Sequence, residues 1–166
     1  RFGIEGEKNM LALLTRRTGA TMLAGAMMLG LAAASNAAIV FSNITITGTP
    51  QLIAGATFAT GASDIDFTFP NAVVGDFQPV RQGSIVITYE ATSNLAMMNQ
   101  MVAIFLGGVS GSGQIQFSEV IEDMVTPGII ATLPTTTITN NSQLPFSTVL
   151  NFSRASTHIK VKKEFF

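Results

Sequence analysis

The sequence of 166 residues contains no cysteine and no tryptophan, and it has one tyrosine and one histidine. Without cysteine the chain forms no disulfide bond, so its folded part must be stabilised by the core alone. One histidine and no cysteine provide too few of the ligands that zinc usually takes. A Ser-His-Asp triad would have to use His158, which no G-x-S-x-G motif precedes. These absences argue against a zinc enzyme and a serine hydrolase.

Charged residues are also scarce, at 11% of the chain. Five lysines and arginines follow Ala37, against eight aspartates and glutamates, so this part of the chain has a net charge of −3. A nucleic-acid partner requires a basic surface that neutralises phosphates. We therefore expect no binding to nucleic acid.

A secretory signal peptide is predicted over residues 10–37. Arg16 and Arg17 supply its positive charge, and residues 20–34 follow as an uncharged apolar run. This order of features is typical of a secretory signal. The run has 15 residues, whereas a membrane-spanning helix needs about 20. Cleavage is therefore favoured over the alternative of a membrane span, and we expect only transient contact with the membrane.

Small residues mark the expected cleavage site. Ser35 and Ala37 occupy the −3 and −1 positions, so signal peptidase is expected to cut between Ala37 and Ala38. Met10 is the expected start, which makes residues 1–9 upstream translation or an unusually long n-region. The lack of cysteine in an exported chain favours a bacterial source. We thus predict a protein that is secreted or held in the bacterial cell envelope.

Beyond the signal peptide, apolar and polar residues alternate with period two, which is typical of half-buried strands. Turn-forming glycine, proline and asparagine separate these segments. The sequence predicts an all-β fold over residues 38–166, as one antiparallel β-sandwich of the jelly-roll or Ig-like type preceded by a signal helix. The strand pattern continues nearly to Phe166, which suggests a C-terminally truncated chain. The alternating segments are residues 43–47, 64–69, 84–90, 114–118, 146–152 and 158–162.

Residues 94–106 fit two structures. Leu95, Met98 and Val102 have helical spacing, but residues 103–106 also fit a buried strand. We favour a strand from about Met98 to Leu106, with a short helix as the alternative. Its methionines are predicted to fill gaps in the core.

The last predicted strand carries a basic cluster of Lys160, Lys162 and Lys163. Such lysines protect an exposed sheet edge from pairing with another chain. They also have the charge that an acidic polysaccharide or lipid headgroup binds. Protection of an edge strand is the favoured interpretation.

Two acidic pairs are the calcium candidates, because calcium takes only oxygen ligands. They are Asp64 with Asp66, and Glu122 with Asp123, near Glu119. None has the spacing of a calcium-binding loop, so no cofactor is the favoured prediction and calcium the alternative.

Exposed aromatic platforms for sugars are few. There is no tryptophan, Tyr89 is predicted to face inward, and most of the twelve phenylalanines have core parity. Carbohydrate recognition would therefore depend on polar loops.

The layout resembles bacterial exported proteins that carry a C-terminal PEP-CTERM sorting signal. The matching segments are MLAGAMMLGLAAASNAA at 22–38, GSGQIQFSEVIED at 111–123 and LPFSTVLNFSRASTHIKVKKEFF at 144–166. The Pro-Glu-Pro motif itself would lie beyond Phe166. The resemblance implies sorting to the envelope or release, often in bacteria that make exopolysaccharide or biofilm. It carries over no functional residue.

We therefore predict a non-enzymatic surface or matrix protein with a structural or adhesive role, whose partners are polysaccharide or other cell-surface proteins. One alternative is a carbohydrate-binding module that uses Asp64, Asp66 or the loop 139–143. A second is a hydrolase that depends on His158 or on one of the acids. A third is a fimbrial subunit that accepts a strand from its partner.

Overall fold

The computed structural model describes residues 21–22, 26–27, 38–104 and 109–166, and most of these residues lie in β-strands. This confirms the all-β prediction. One short helix, α1, spans Pro50–Ile53, and a 3₁₀ turn spans Asn141–Gln143. None of the helices in the described ranges has the length and hydropathy required to cross a bilayer. The strands are β1 Thr21–Met22, β2 Ala26–Met27, β3 Ile39–Gly48, β4 Thr57–Thr60, β5 Ile65–Thr68, β6 Val73–Val74, β7 Ile85–Ile104, β8 Ile115–Asp123, β9 Gly128–Ile138 and β10 Phe146–Phe165.

The largest sheet has five strands in the order β3-β7-β10-β8-β9, and every neighbouring pair is antiparallel. A three-stranded sheet has the order β2-β5-β4, and β1 pairs with β6. β1 and β2 fall within the predicted signal peptide. The rest of that segment lies outside the described residues, so the signal helix stays a prediction.

The second and third strands of the large sheet, β7 and β10, bend back on themselves. Tyr89 and Gln100 both belong to β7, yet Gln100 Nε2 donates a hydrogen bond of 3.0 Å to the Tyr89 hydroxyl. A straight strand would separate residues eleven positions apart by roughly 35 Å. The buried positions of β7 change from odd to even numbers between Met97 and Gln100. β10 pairs with β7 over its length and shows register shifts between Asn151 and His158. Such irregularities bend strands.

Aromatic side chains fill the interior that the bend encloses. The Phe117 ring stacks on Phe165 of the neighbouring strand, with ring centroids 4.8 Å apart. It also meets the edge of Phe146, at 6.5 Å, although Phe146 begins the other end of β10. On the opposite side, Phe67 of β5 lies 6.0 Å from the Tyr89 ring. The three-stranded sheet and both halves of the bent strands β7 and β10 therefore pack around one core.

The strand across residues 98–104 is confirmed, and the helical alternative is wrong for these residues. The segment continues the same strand that begins at Ile85; residues 105 and 106 lie outside the described part. The methionines are divided: Met97 is buried, whereas Met98 is 65% exposed. Consecutive residues of a strand point to opposite faces, which explains the division. The prediction that these methionines fill the core is therefore wrong for Met98 and for Met101, which is 37% exposed.

The predicted basic cluster on the last strand is wrong. β10 lies between β7 and β8, so it is not an edge strand. Lys163 is fully buried, whereas Lys162 is exposed. The alternation that buries Ile159 and Val161 continues to position 163 and carries the lysine inward with them.

The turn between β8 and β9 is held by the carboxylate of Asp123, which is 3% exposed. Its Oδ1 accepts hydrogen bonds from the Ser156 hydroxyl at 2.7 Å and from the backbone N–H groups of Val125 and Thr126. Arg154 Nε donates to Oδ2 at 2.8 Å. The Arg154 guanidinium, followed by the Ser156 hydroxyl and the two N–H groups, holds the pKa of Asp123 well below its usual range.

Because the pKa of Asp123 is lowered in the folded state, we expect the protein to lose stability in acid. The unfolded Asp123 has a pKa of about 3.9, and its folded pKa is lower, so the folded state takes up the proton less readily than the unfolded state. The stabilisation is present above the unfolded pKa and is lost as the pH falls through the folded one. The melting temperature should fall as the pH decreases from about 5 to about 2, and Asp123→Asn should make this fall shallower and lower the melting temperature at neutral pH.

The exposed neighbour provides the control, because Glu122 has none of these partners among the described residues. Thermal unfolding followed by circular dichroism should give the same pH dependence for Glu122→Gln as for the unmodified chain. Identical slopes for the unmodified chain and Asp123→Asn would contradict the account.

Candidate functional site

A cleft of about 730 Å³ lies at one end of the five-stranded sheet. The loop of residues 75–84, between β6 and β7, forms one wall, and residues 110–114, before β8, form the other. Its lining combines charged, amide and aromatic side chains, among them Asp76, Phe77, Arg81, Gln82, Gln114, Gln116 and Phe166.

Backbone hydrogen bonds shape both walls. In the first, Gly75 N–H donates to Val80 O and Gln78 N–H donates to Gly75 O, each at 3.0 Å. In the second, Gly113 N–H donates to Ser110 O at 3.2 Å. Gly111 in this turn has φ +62°, a conformation that residues with a Cβ rarely adopt. The loops therefore have defined shapes.

The floor of the cleft is tightly packed. Thr49 N–H donates to Ser84 O at 2.9 Å, and Ser84 N–H donates to Thr49 Oγ1 at 3.1 Å. Between them, a Cβ added to Gly83 would lie 2.6 Å from Leu52 Cδ1 and 2.7 Å from Thr49 Oγ1. Glycine at this position lets the first loop approach α1 closely.

Two phenylalanine rings are accessible at the cleft. Phe77 is 81% exposed and Phe166 is 54% exposed. Phe166 is positioned by its backbone, which exchanges two hydrogen bonds with Gln116 at 2.9 and 3.0 Å. Both rings offer an apolar face next to polar groups. The expectation that the phenylalanines are mostly buried is therefore wrong for these two, and also for Phe58, which is 50% exposed.

The polar groups at the cleft can both donate and accept hydrogen bonds. Arg81 donates, Asp76 accepts, and the glutamine amides do both. Asp76 is the sole carboxylate among the lining residues that the structure describes, whereas a glycoside hydrolase uses two. The arrangement can bind a ligand that has many hydroxyl groups and some apolar faces.

The first calcium pair lies outside this cleft. Asp64 and Asp66 are neighbours at the start of β5, and Gly61 N–H donates to the backbone oxygen of Asp64 at 2.9 Å. Burial, followed by the negative charge of Asp64, raises the pKa of the Asp66 carboxyl. A bound cation would remove that repulsion.

The second pair is divided between two environments. Glu122 is exposed, whereas Asp123 is buried and its oxygens accept hydrogen bonds from Arg154, Ser156 and the turn backbone. Within the described ranges, no three acidic or histidine side chains are grouped as metal ligands. The absence of a cofactor stays the prediction, with calcium as the alternative.

The single histidine also lies away from the cleft. His158 Nε2 is 2.9 Å from Glu90 Oε2, on strands β10 and β7. A hydrogen bond from Asn43, followed by the contact with His158, lowers the pKa of Glu90. His158 is not among the residues that line the cleft.

The side chains of the loop 139–143 bond mainly within the loop, and Asn141 Oδ1 also accepts a hydrogen bond of 2.7 Å from the Val109 N–H. Gln143 Oε1 accepts hydrogen bonds from the backbone N–H of Thr139 at 2.7 Å and of Asn140 at 3.2 Å. Asn140 Oδ1 accepts from Ser142 N–H at 3.0 Å. These reciprocal bonds cap the 3₁₀ turn. This loop is not part of the cleft lining.

A second polar cluster, defined here as the buried polar cluster of Tyr89, Gln100, Glu119 and Lys163, lies inside the core. All four residues are at most 1% exposed. Lys163 Nζ contacts Glu119 Oε2, and Gln100 bonds to Tyr89. Sequence analysis missed this cluster, although the parity of Lys163 with Ile159 and Val161 indicated its direction.

Sequence analysis also missed the cleft. Its aromatic and charged residues lie in a loop without alternation, and the second wall is distant in sequence.

Comparisons with family models, with curated proteins and with solved structures find no match to this chain.

Proposed function

We propose that this chain is the exported, non-enzymatic β-sandwich of a bacterial surface or extracellular-matrix protein, and that it adheres to polysaccharide through the cleft. The observation that carries the proposal is the presence of two exposed phenylalanine rings among amide and charged side chains in one concave site. The sequence analysis placed carbohydrate binding at Asp64, Asp66 or the loop 139–143, as an alternative function. Here polysaccharide binding at the cleft is the means by which the protein adheres.

The sandwich is supported by contacts between the halves of the bent strands. Tyr89 bonds to Gln100 and Phe117 packs on Phe146, so residues from the two halves meet across one interior. Two sheets that pack face to face are joined in this way when strands bend from one to the other. The jelly-roll and Ig-like types are both open.

Export is supported by the sequence of residues 10–37, with its arginine pair, apolar run and small residues before Ala38. The same segment carries the predicted signal helix. The resemblance to PEP-CTERM proteins favours the envelope or the matrix as the destination. A cysteine-free core suits such an environment, since nothing in the chain depends on disulfide formation.

The chemistry of sugars matches the lining of the cleft. A pyranose ring has hydroxyl groups at its rim and apolar C–H groups on its faces. Phe77 and Phe166 offer flat apolar surfaces for those faces, while Asp76, Arg81 and the glutamine amides offer partners for the hydroxyls. A concave site with a few convergent polar groups is the usual form of a binding site.

Export can be tested by expressing the chain from Met10 in a Gram-negative host and determining the N-terminus of the product. We expect a periplasmic or released protein that begins at Ala38. Ala37→Arg should block cleavage, because signal peptidase requires a small residue at −1. Recovery of the uncleaved, unmodified chain in the cytosol would refute this part of the proposal.

Polysaccharide binding can be tested on an array of bacterial exopolysaccharides, followed by titration of the best ligand. Phe77→Ala and Arg81→Ala should each weaken binding about tenfold, which corresponds to the loss of about 1.4 kcal/mol. The matched control is Phe58→Ala, because Phe58 is 50% exposed but does not line the cleft. Absence of binding to every polysaccharide, or equal weakening by all three substitutions, would contradict the proposal.

A further inference from the structure

Three side chains in the buried polar cluster bring an amine, a carboxyl group and a primary amide together. Lys163 of β10 and Glu119 of β8 are directly opposite each other across the sheet. Gln100, on the returning half of β7, forms a side-chain hydrogen bond with Glu119, which therefore contacts both other groups. All three are excluded from solvent, at 0%, 1% and 0% exposure. This inference does not depend on the function of the cleft.

Burial drives the amine and the acid toward their neutral forms. Burial lowers the pKa of Lys163, although the charge of Glu119 and the hydrogen bond to it oppose this effect. Burial also raises the pKa of Glu119, against the opposing effects of Lys163 and of a hydrogen bond with Gln100. Charged groups are costly in an apolar interior even when they are paired. A neutral amine is a nucleophile, and a neutral carboxyl group is a proton donor.

The surroundings of the lysine are apolar. Lys163 Nζ lies 5.8 Å from the centre of the Phe117 ring, which is itself stacked on Phe165. A desolvated lysine in such a pocket is more reactive than one in water. The core therefore provides the conditions under which an amine attacks a neighbouring carbonyl.

Gln100 has the features of the acceptor. Its Nε2 donates to the Tyr89 hydroxyl, which fixes the amide plane. Its Oε1 is buried and has no hydrogen-bond partner within the described residues, and the same is true of Glu119 Oε1. A native core rarely leaves two such atoms unpaired. Covalent bond formation would replace the buried amine of Lys163, which is costly to charge in this core, with a neutral amide.

We propose that Lys163 and Gln100 become joined by an intramolecular amide bond, with Glu119 transferring the protons. The Lys163 Nζ lone pair attacks Gln100 Cδ, and a new C–N bond forms. The bond between Cδ and Nε2 breaks, and Nε2 leaves as ammonia after receiving a proton from Glu119. Glu119 then takes the excess proton from Nζ. One ammonia is released, and no oxidant or other reactant is consumed.

Glu119 is less suited to be the acceptor itself. If Lys163 condensed with Glu119, no other carboxyl group of the cluster would remain to move the protons. The bond would also join strands β8 and β10, which are already paired. A bond to Gln100 instead joins two segments that are not paired with each other, because Gln100 pairs with Leu150 at the other end of β10 and Lys163 pairs with Ile87.

The test is the mass of the full chain after purification and denaturation. We expect a mass about 17 Da below the sequence value, because one ammonia is lost. Chymotryptic digestion separates the segment that contains Gln100 from the one that contains Glu119, and should yield a branched peptide joining Gln100 to Lys163. An unchanged mass, or a loss of about 18 Da with the branch at Glu119, would overturn the proposal.

Variants locate the bond independently. Lys163→Met, Gln100→Met and Glu119→Met should each restore the sequence mass, whereas Lys162→Met, at the exposed lysine next in the chain, should keep the loss. Retention of the loss in Lys163→Met would also overturn the proposal. If a core variant does not fold, the peptide map of the unmodified chain still decides the question.

Discussion

The bend in β7 and β10 is the constraint on which the rest of the structure depends. These strands are the second and third of the five-stranded sheet, so they carry most of its hydrogen bonding. Because each changes the parity of its buried residues partway along, one strand supplies two apolar surfaces that face each other. Tyr89 and Gln100, and Phe117 and Phe146, meet for this reason. A straight pair of strands of the same length would leave half of these residues without a core.

The same bend explains why the interior contains polar groups. It delivers Gln100 to the place where β8 and β10 have already brought Glu119 and Lys163 side by side. A buried ion pair is not in itself stabilising, because removing two charges from water costs as much as their attraction returns. The amide bond proposed above would relieve this cost and needs no external reactant. A covalent link of this kind would cross-link a chain that has no cysteine for disulfide bonds.

The fold was predictable to the extent that local alternation determines it. Ile85, Ile87 and Tyr89 are buried as the pattern predicts, and Ile115 and Phe117 likewise. The inward direction of Lys163 was contained in the pattern of Ile159 and Val161, but the charge of lysine suggested exposure. Local propensity cannot show that position 163 has a buried acid opposite it, because that depends on pairing with β8.

The cleft and the bend were beyond prediction for a related reason. A change of parity near Gln100 leaves the residues locally compatible with helix or strand, and only the long-range contact distinguishes them. Phe77 belongs to a loop, where neither period applies, and its partners Gln114 and Gln116 come from a distant part of the chain. Sites assembled from loops are set by the tertiary fold rather than by spacing in the sequence.

The most direct test of the bend is the pattern of nuclear Overhauser contacts between aromatic rings in the folded protein. The account predicts cross-peaks between the protons of Phe117 and Phe146, whose ring centroids are 6.5 Å apart. The stacked pair of Phe117 and Phe165, at 4.8 Å, serves as the internal reference because it is present whether or not the strands bend. Reference cross-peaks without any contact between Phe117 and Phe146 would show that the strands run straight, and would contradict the account.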